Sequence, residues 1–424
     1  MMTNHGTPRR TQLLTHTDRT MNHTTFRVSA TVLRRAAGAV SAALLAVALG
    51  ACDSLDRALD VDTPSRVPAS SLETPASAQL LVTSAQRDLE CAYAAYIVTS
   101  GLIAGELQDG SQTASRWDFD RRSIRPEQTA YASTSCEGAY GIYTPLNTAR
   151  FTADNATTRL EGWTDTEVED RQLLIARSAN YAGFALVFLG ESFCSAAIDV
   201  GPELTSEQVF TEAEARFTKA LTAAQAAGDA ELASLAYLGR AKARLDKGDA
   251  AGALADARQV PAGFVYDATY DSGNSRQFNR VFEFNGQGTS VTVAPAYRNL
   301  NDPRIVVTDS GRTSADQNTR LWVQHKYESR EAPIPLARSA EAELIIAELT
   351  GAMTKAQVAE ERRREFFLEG RRMGDIRRYD LAYDPAPGVP YPAAAASAKG
   401  GTYQELPGKC LPLPDVERAN NPSF

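Results

Sequence analysis

Histidine is almost absent from most of this 424-residue sequence. Three of the four histidines lie within the first 51 residues, so His325 stands alone in the remainder. A single imidazole cannot build a multi-histidine zinc site, and it argues against Ser-His-Asp and Cys-His catalytic centres. The sequence therefore gives no indication of hydrolytic triad chemistry, of a metal centre or of a cofactor.

Positive charge is also scarce once the N-terminal segment is set aside. Residues 1–51 carry six arginines and one acid, which leaves 38 basic and 51 acidic residues and a net charge of −13 for the other 373. Nucleic-acid binding depends on clustered positive charge, so we predict no nucleic-acid partner. With 43% apolar and 23% charged residues, the chain has the composition of a folded globular protein.

No apolar run reaches the ~20 residues that a membrane-spanning helix needs. The longest one, residues 36–51, has sixteen residues and follows Arg34 and Arg35. A basic segment, a short apolar segment and small residues before a cleavage point are typical of a secretory signal. We therefore interpret residues 1–51 as a signal peptide, with Met21 as a plausible true start.

The signal segment ends in Leu-Gly-Ala followed by Cys52, which resembles the lipobox of bacterial lipoproteins. The resemblance implies a lipid on Cys52, which becomes the new N-terminus and attaches the protein to a membrane. The alternative is an ordinary signal followed by a coincidental cysteine. Residues 52–75, which contain Pro64 and Pro68, are typical of a tether without a core of its own.

Four further cysteines follow Cys52, and an even number in an exported chain indicates two disulfides with three possible pairings. We favour Cys91–Cys136, which would join two early helices, and Cys194–Cys410, which would tie the tail to the scaffold. The competing interpretation is a four-cysteine metal site, but the sequence contains no CxxC pair.

The spacing of apolar residues predicts a mainly α fold, in which a helical-repeat scaffold carries an irregular lobe with short β-hairpins. Residues 236–257 resemble a tetratricopeptide unit, with Gly239 as a small residue that lets two helices approach. A generic alanine-rich helical hairpin is the alternative. Residues 110–135 are polar and irregular, and we interpret them as a long loop.

We expect six segments along the chain. They are a signal peptide (1–51), a lipidated tether (52–75), a helical region with tetratricopeptide-like repeats (76–260), an irregular lobe with short strands (261–331), closing helices (332–380) and a loop-rich tail (381–424). Within the lobe, we predict strands at residues 264–266, 281–284, 291–293 and 305–307.

Residues 361–379 interleave acids and bases at helical spacing. The pattern predicts one helix with Phe366, Gly370 and Met373 on a single stripe. It also predicts ion pairs three or four residues apart. They are Arg362 with Glu365, Glu369 with Arg372, and Arg371 with Asp375. Because the charges balance, we interpret this segment as a partly buried ion-pair lattice and part of the scaffold.

The same segment closely resembles the arginine- and glutamate-rich helix of the SusD/RagB family of nutrient-binding lipoproteins. Four other stretches are similar to family patterns in the same order: residues 140–149, 302–304, 334–348 and 411–422. One departure is the short connection of about a dozen residues between Glu348 and the helix, where family members usually have a further helical pair.

The resemblance implies a SusD-like fold with tetratricopeptide-like helix pairs, and a protein held in the outer membrane by its lipid and facing the exterior. It also implies a partner, a TonB-dependent transporter of the SusC type, and a nutrient, most often an oligosaccharide and otherwise a peptide. The implied role is capture and delivery without catalysis.

Such a binder needs aromatic platforms and a few hydrogen-bonding side chains. We select as ligand-binding candidates a cluster in the early irregular segment and two more distant aromatic residues: Gln112, Arg116, Trp117, Asp118, Tyr131 and Trp163. We assign Trp322, which lies in a strand-like run, to the core.

Two alternatives come from other functional classes. A secreted glycan-degrading enzyme would need two carboxylates, and Glu106 and Asp109 are one candidate pair. A tetratricopeptide adaptor would bind only other proteins.

Overall fold

The computed structural model describes residues 73–128, 135–138, 140–392 and 399–424. The predicted signal peptide, Cys52 with its predicted lipid, almost all of the predicted tether, and Tyr131 therefore lie outside the described residues.

Eleven α-helices are present in the described ranges, and the longer ones form a chain of neighbours. They are α1 (Ala78–Ile103), α2 (Ala114–Asp120), α3 (Tyr143–Gly162), α4 (Arg171–Ser192), α5 (Ser206–Ala227), α6 (Ala230–Asp246), α7 (Ala250–Ala257), α8 (Ser339–Leu349), α9 (Lys355–Glu365), α10 (Arg372–Arg378) and α11 (Asp415–Asn420). From α3 to α8 each helix packs against the next, and α3 also packs against α1. This arrangement confirms the predicted mainly α, helical-repeat fold.

Close helix packing around Phe217 explains two of the small residues. A Cβ atom on Gly183 of α4 would lie 2.7 Å from the Phe217 ring, and one on Gly239 of α6 would lie 2.2 Å from it. Both distances are too short for a real contact, so glycine is required where α4 and α6 meet the ring from α5. Phe217 itself is fully buried.

In the described ranges, eight short strands form four antiparallel pairs. The strands are β1 (Leu107–Asp109), β2 (Ser195–Ala197), β3 (Glu203–Thr205), β4 (Val265–Ala268), β5 (Val291–Val293), β6 (Val307–Thr313), β7 (Arg320–Gln324) and β8 (Ile334–Arg338). The pairs are β1–β5, β2–β3, β4–β8 and β6–β7. Only β2–β3 and β6–β7 join neighbouring strands as hairpins, whereas the other two pairs connect distant parts of the chain.

Two predicted local structures are wrong. The run at 281–284, predicted as a strand, enters a π-helix at Phe282–Gln287. There the Asn285 amide donates to the carbonyl oxygens of Val291 and Trp322, and its Oδ1 accepts the N–H of Gln324. The early segment predicted as a continuous loop contains α2.

The continuous helix predicted for residues 361–379 is also wrong. Helix α9 ends at Glu365, the backbone is left-handed at Leu368 (φ 55°) and Gly370 (φ 71°), and α10 begins at Arg372. The N–H of Leu368 donates to Glu106 Oε1 at 3.0 Å, and a Cβ on Gly370 would lie 2.8 Å from the Tyr96 ring. Tertiary contacts with α1 and the segment after it therefore fix the break.

Breaking the helix replaces the predicted ion pairs with a buried network centred on Glu341 of α8. Its carboxylate lies 3.1 Å from Arg362, 3.1 Å from Arg371 and 3.3 Å from Lys242. Arg362 also contacts Asp375 of α10 at 2.6 Å. Burial alone would raise the pKa of Glu341, but the three cations hold it well below its usual value. The network links α6, α8, α9 and α10.

Glu369, predicted to pair with Arg372, instead contacts Lys326 at 2.6 Å and Arg338 at 2.9 Å. The left-handed turn between α9 and α10 directs its side chain away from α10. The lattice predicted for this segment is therefore present, but its partners come from distant elements.

Two disulfides tie the ends of the described chain to the scaffold, in the pairing favoured by the sequence. Cys91 of α1 is bonded to Cys136, and Cys194, just after α4, is bonded to Cys410 in the tail. Beside the second bond, the N–H of Leu411 donates to the Ser192 carbonyl at 2.7 Å. The tail is thus held against the end of α4.

Among the described residues, α4 alone is long and apolar enough to cross a membrane by length and composition. Most of its residues are buried within the protein, as expected of the central helix of a helical scaffold.

Candidate functional site

Trp117, the leading platform candidate, lies inside the protein. Its side chain is 4% exposed and packs with Tyr391 and Tyr403 of the tail. The indole N–H donates to the Ser111 carbonyl at 3.0 Å. With its ring covered, Trp117 cannot stack on a ligand in this structure, so its assignment as a platform is corrected. It anchors α2 to the tail.

A buried polar network also fixes the region around Trp117. Lys399 Nζ lies 2.7 Å from Asp316 Oδ2 and donates to the Asp109 carbonyl at 2.7 Å. Asp120 Oδ2 accepts the N–H of Asp109 at 2.7 Å and the hydroxyl of Tyr391 at 2.9 Å. Burial raises the pKa of Asp109 to about 6 and that of Asp120 to about 7. The network joins the segment after α1, the β6–β7 turn and the tail.

The carboxylate pair of the enzyme alternative is enclosed. Glu106 is 1% exposed and Asp109 is 0% exposed. Glu106 Oε1 accepts the N–H of Leu368, and Asp109 Oδ1 accepts the N–H and hydroxyl of Ser111. Neither carboxylate reaches a surface on which a glycan could lie.

Glu106 leads to a pH-dependent stability prediction. Burial raises its folded pKa from 4.5 to about 7. Between these two pH values the folded state holds more protons than the unfolded state, so the free energy of unfolding falls as pH rises. Glu106→Gln removes this titration and keeps an acceptor for Leu368. From pH 5 to pH 8, we expect the free energy of unfolding of the variant to rise by about 2–3 kcal/mol relative to that of the parent, since one pKa unit is worth about 1.36 kcal/mol.

Urea unfolding at both pH values measures this difference. Glu343→Gln, which changes an exposed acid of α8, is the control and should follow the parent. Equal differences between Glu106→Gln and the parent at pH 5 and pH 8 would contradict the prediction.

Three other candidates lie near Trp117. Asp118 accepts hydrogen bonds from Arg121, Ser123 and Gln128. The Arg116 guanidinium lies 4.2 Å from the centre of the Tyr140 ring. Gln112 is exposed and donates to the Ala315 carbonyl at 3.2 Å, next to the β6–β7 turn. Gln112 and Arg116 thus have groups near the surface of the lobe, whereas Asp118 is engaged in local hydrogen bonds.

Trp163 lies elsewhere. It follows the end of α3 and packs, partly buried, against the helical core. Arg159, one turn earlier, contacts Glu73, which precedes α1, whereas the Trp117 segment follows the other end of α1. A helix of 26 residues is about 39 Å long, so the structure separates Trp163 from the other candidates.

Trp322, which the sequence analysis assigned to the core, packs against the core but remains partly exposed. Its indole is only partly buried, and the Arg298 guanidinium lies 5.2 Å from the ring centre. Arg298 also donates to Gln108 Oε1 at 3.4 Å and to the Val293 carbonyl at 2.9 Å. Burial lowers the pKa of Arg298. We call Gln108, Arg298 and Trp322 the Trp322 surface.

Three strands hold Gln108 and Trp322 in place. Gln108 of β1 stands opposite Thr292 of β5, and Thr292 Oγ1 accepts the N–H of Trp322 from β7 at 2.7 Å. Along β7, Leu321 and Gln324 are buried, while Trp322 and Val323 are partly exposed. The sequence signal available for this position was an aromatic residue next to Leu321 in a short strand-like run.

No group of three or more histidine, cysteine, aspartate or glutamate side chains within the described ranges has an arrangement that could hold a metal ion.

Comparison with known proteins places the fold. No protein-family model matches the sequence, and no curated protein matches it. Solved structures do match. A SusD homolog from Bacteroides thetaiotaomicron has a TM-score of 0.60 and 13% identity, over 85% of this chain and 98% of the other.

Two more structures agree. Surface glycan-binding protein A from Bacteroides fluxus has a TM-score of 0.59 and 12% identity, over 82% of this chain and 99% of its own. A SusD superfamily protein from Bacteroides vulgatus has a TM-score of 0.59 and 14% identity, over 83% and 99%. The chain therefore has the SusD-like fold, as its sequence motifs predict.

Proposed function

We propose that this protein is a cell-surface glycan-binding protein that captures an oligosaccharide and performs no catalysis. The observation that carries the proposal is the Trp322 surface, an aromatic ring beside a cation and an amide on a SusD-like fold. Among the proteins that share the fold, one is named a surface glycan-binding protein and another a SusD-like carbohydrate-binding protein.

The chemistry of the Trp322 surface suits a sugar. The C–H groups of a sugar ring contact an indole favourably, and its hydroxyls both donate and accept hydrogen bonds. Arg298 supplies donors, and Gln108 supplies a donor and an acceptor. Because strands hold Gln108 and Trp322, and Arg298 donates to Val293 and Gln108, a ligand would not have to order these groups, which reduces the free-energy cost of binding.

The proposal extends to anchorage and delivery. A lipid on Cys52 would hold the protein on the outer membrane, facing the exterior, with residues 52–75 as the tether. A TonB-dependent transporter of the SusC type would receive the bound nutrient. A peptide is the second nutrient class, and Arg298 could then bind its carbonyl groups.

Absence of catalysis is part of the same proposal. The candidate carboxylate pair considered for glycan hydrolysis, Glu106 and Asp109, is enclosed by the fold. Binding, rather than bond cleavage, fits a surface made of Gln108, Arg298 and Trp322.

Substitution of Trp322 tests the proposal. Trp322→Ala in the full chain should weaken oligosaccharide binding about tenfold or more, which corresponds to at least ~1.4 kcal/mol. The Arg298→Ala variant should also bind less tightly because hydroxyl contacts are lost. Isothermal titration calorimetry against a panel of soluble oligosaccharides provides the affinities.

Trp163→Ala is the matched control, since it removes a partly buried tryptophan from the helical side and should bind as the parent does. If no oligosaccharide in the panel binds the parent, glycan capture is contradicted. If Trp163→Ala abolishes binding and Trp322→Ala leaves it unchanged, the Trp322 surface is the wrong site.

A further inference from the structure

A cavity of about 340 Å³ lies on the helical side of the protein, where α10 meets the ends of three scaffold helices. Its walls include Glu191 at the end of α4, Phe210 of α5, Asp246 at the end of α6, and Gly374 and Arg377 of α10. Its volume is within the range of small-molecule sites, about 300–1,000 Å³. None of the residues discussed for the Trp322 surface lines it.

One carboxylate oxygen of Asp246 is enclosed without a hydrogen bond, and the other is paired with Arg378. The Asp246 side chain is 13% exposed, Oδ1 lies 3.8 Å from Arg378 Nε, and Oδ2 is buried without a hydrogen bond. Burial and the nearby Glu191 raise the pKa of Asp246 to about 7. A buried acceptor left unsatisfied costs about 1–3 kcal/mol, so this oxygen would gain from a donor, and most from a cationic one.

Arg377 carries the opposite charge, and its guanidinium has hydrogen bonds but no carboxylate partner among the described residues. One guanidinium nitrogen donates to the carbonyl oxygens of Gly190 at 2.7 Å and Phe193 at 3.1 Å. No carboxylate in the described part of the chain forms an ion pair with it, and burial lowers its pKa. Its neighbour Arg378, by contrast, is matched by a two-pronged pair with Glu348 at 2.8 and 2.7 Å.

The buried acid Glu191 in the cavity wall is already satisfied. Glu191 Oε1 lies 2.7 Å from Lys242 Nζ, and Oε2 accepts the Tyr96 hydroxyl at 3.1 Å. A Cβ on Gly374 would lie 2.7 Å from Glu191 Oε1, so a larger residue would press into this wall. Ser206, Glu207 and Arg378 also line the cavity. Within this lining, Asp246 Oδ2 has no hydrogen bond, and Arg377 forms no ion pair among the described residues.

We infer that this cavity binds a small zwitterion, a free α-amino acid, with its ammonium at Asp246 and its carboxylate at Arg377. The ammonium would supply a donor to Asp246, whose one ion pair is the 3.8 Å contact with Arg378, and the carboxylate would meet the Arg377 guanidinium. Phe210 provides an apolar wall for the side chain. A neutral sugar would offer hydrogen bonds without opposite charges. This inference is independent of the proposed glycan capture.

Ligands with one end blocked test the inference without any substitution. We expect L-serine or L-leucine to bind the full-length protein in calorimetry and to raise its unfolding temperature. The N-acetyl and amide derivatives of the ligand that binds should each bind about tenfold more weakly or worse, because each loses one charged hydrogen bond. Glucose should not bind in this cavity.

Variants locate the site. Asp246→Asn, which keeps the side-chain shape, should weaken amino-acid binding about tenfold or more, and Arg377→Gln should act in the same direction. Glu231→Gln, an exposed acid on the same helix α6, is the control. The inference is overturned if neither amino acid binds, if both blocked derivatives bind as well as the free ligand, or if Asp246→Asn binds as the parent does.

Discussion

Glu341→Ala is expected to lower the free energy of unfolding by about 3–5 kcal/mol, because removing one member of a buried ion network leaves the others uncompensated. The Glu341 side chain is 3% exposed and is the common partner of Lys242, Arg362 and Arg371. Without it, Arg371 would lose its carboxylate contact, and Arg362 would depend on Asp375. Urea unfolding at pH 7 measures the loss.

Glu343→Ala is the matched control, since Glu343 is an exposed acid two residues away on the same helix. Its effect should remain within about 0.5 kcal/mol. If Glu341→Ala were no more destabilising than Glu343→Ala, the network would not stabilise the packing of α6, α8, α9 and α10.

Removal of the Cys194–Cys410 disulfide, by changing both residues to alanine, is expected to cost about 2–5 kcal/mol. The bond closes a loop with a sequence separation of 216, whereas that of Cys91–Cys136 is 45. In the chain-entropy account, the longer loop adds about 1.4 kcal/mol to the stabilisation. The tail that it holds also carries Tyr391 and Tyr403, which cover Trp117.

The two double-alanine variants should therefore differ. Urea unfolding without reductant should give the Cys194/Cys410 variant a lower free energy of unfolding than the Cys91/Cys136 variant. Limited proteolysis should cut the tail of the Cys194/Cys410 variant first. Equal stability of the Cys194/Cys410 variant and the parent would show that the tail is held by its other contacts alone.

Much of the scaffold could be predicted from the sequence because its determinants are local. Small residues such as Gly239 mark close helix contacts, and apolar spacing gives the helices. The favoured disulfide pairing follows from the positions of the cysteines relative to predicted helices. These features depend on residues near each other in the chain, where periodicity is informative.

The break between α9 and α10 could not be predicted in that way. Residues 361–379 have helical spacing throughout, yet Glu106 and Tyr96, more than 250 positions earlier, fix the left-handed turn at Leu368 and Gly370. The ion pairs changed partners for the same reason. Interleaved charges indicate that an ion lattice exists, but not which distant residues complete it.

The candidate site shows the same limit. Trp117 lies in a polar stretch that resembles a surface loop, but Tyr391 and Tyr403 bury it from the far end of the chain. Trp322 lies in an apolar run that resembles core, but the edge of the lobe leaves it partly exposed beside Arg298. Local composition could not reveal either long-range contact.

The central claim is that this protein works at the cell surface as the binding partner of a nutrient transporter. Its most direct test is purification of the tagged, full-length protein from its native outer membrane in mild detergent, with partners identified by mass spectrometry. The account predicts that a TonB-dependent transporter of the SusC type co-purifies, with Trp322→Ala as well as with the parent. Absence of such a transporter, under conditions that keep other outer-membrane complexes intact, would contradict the account.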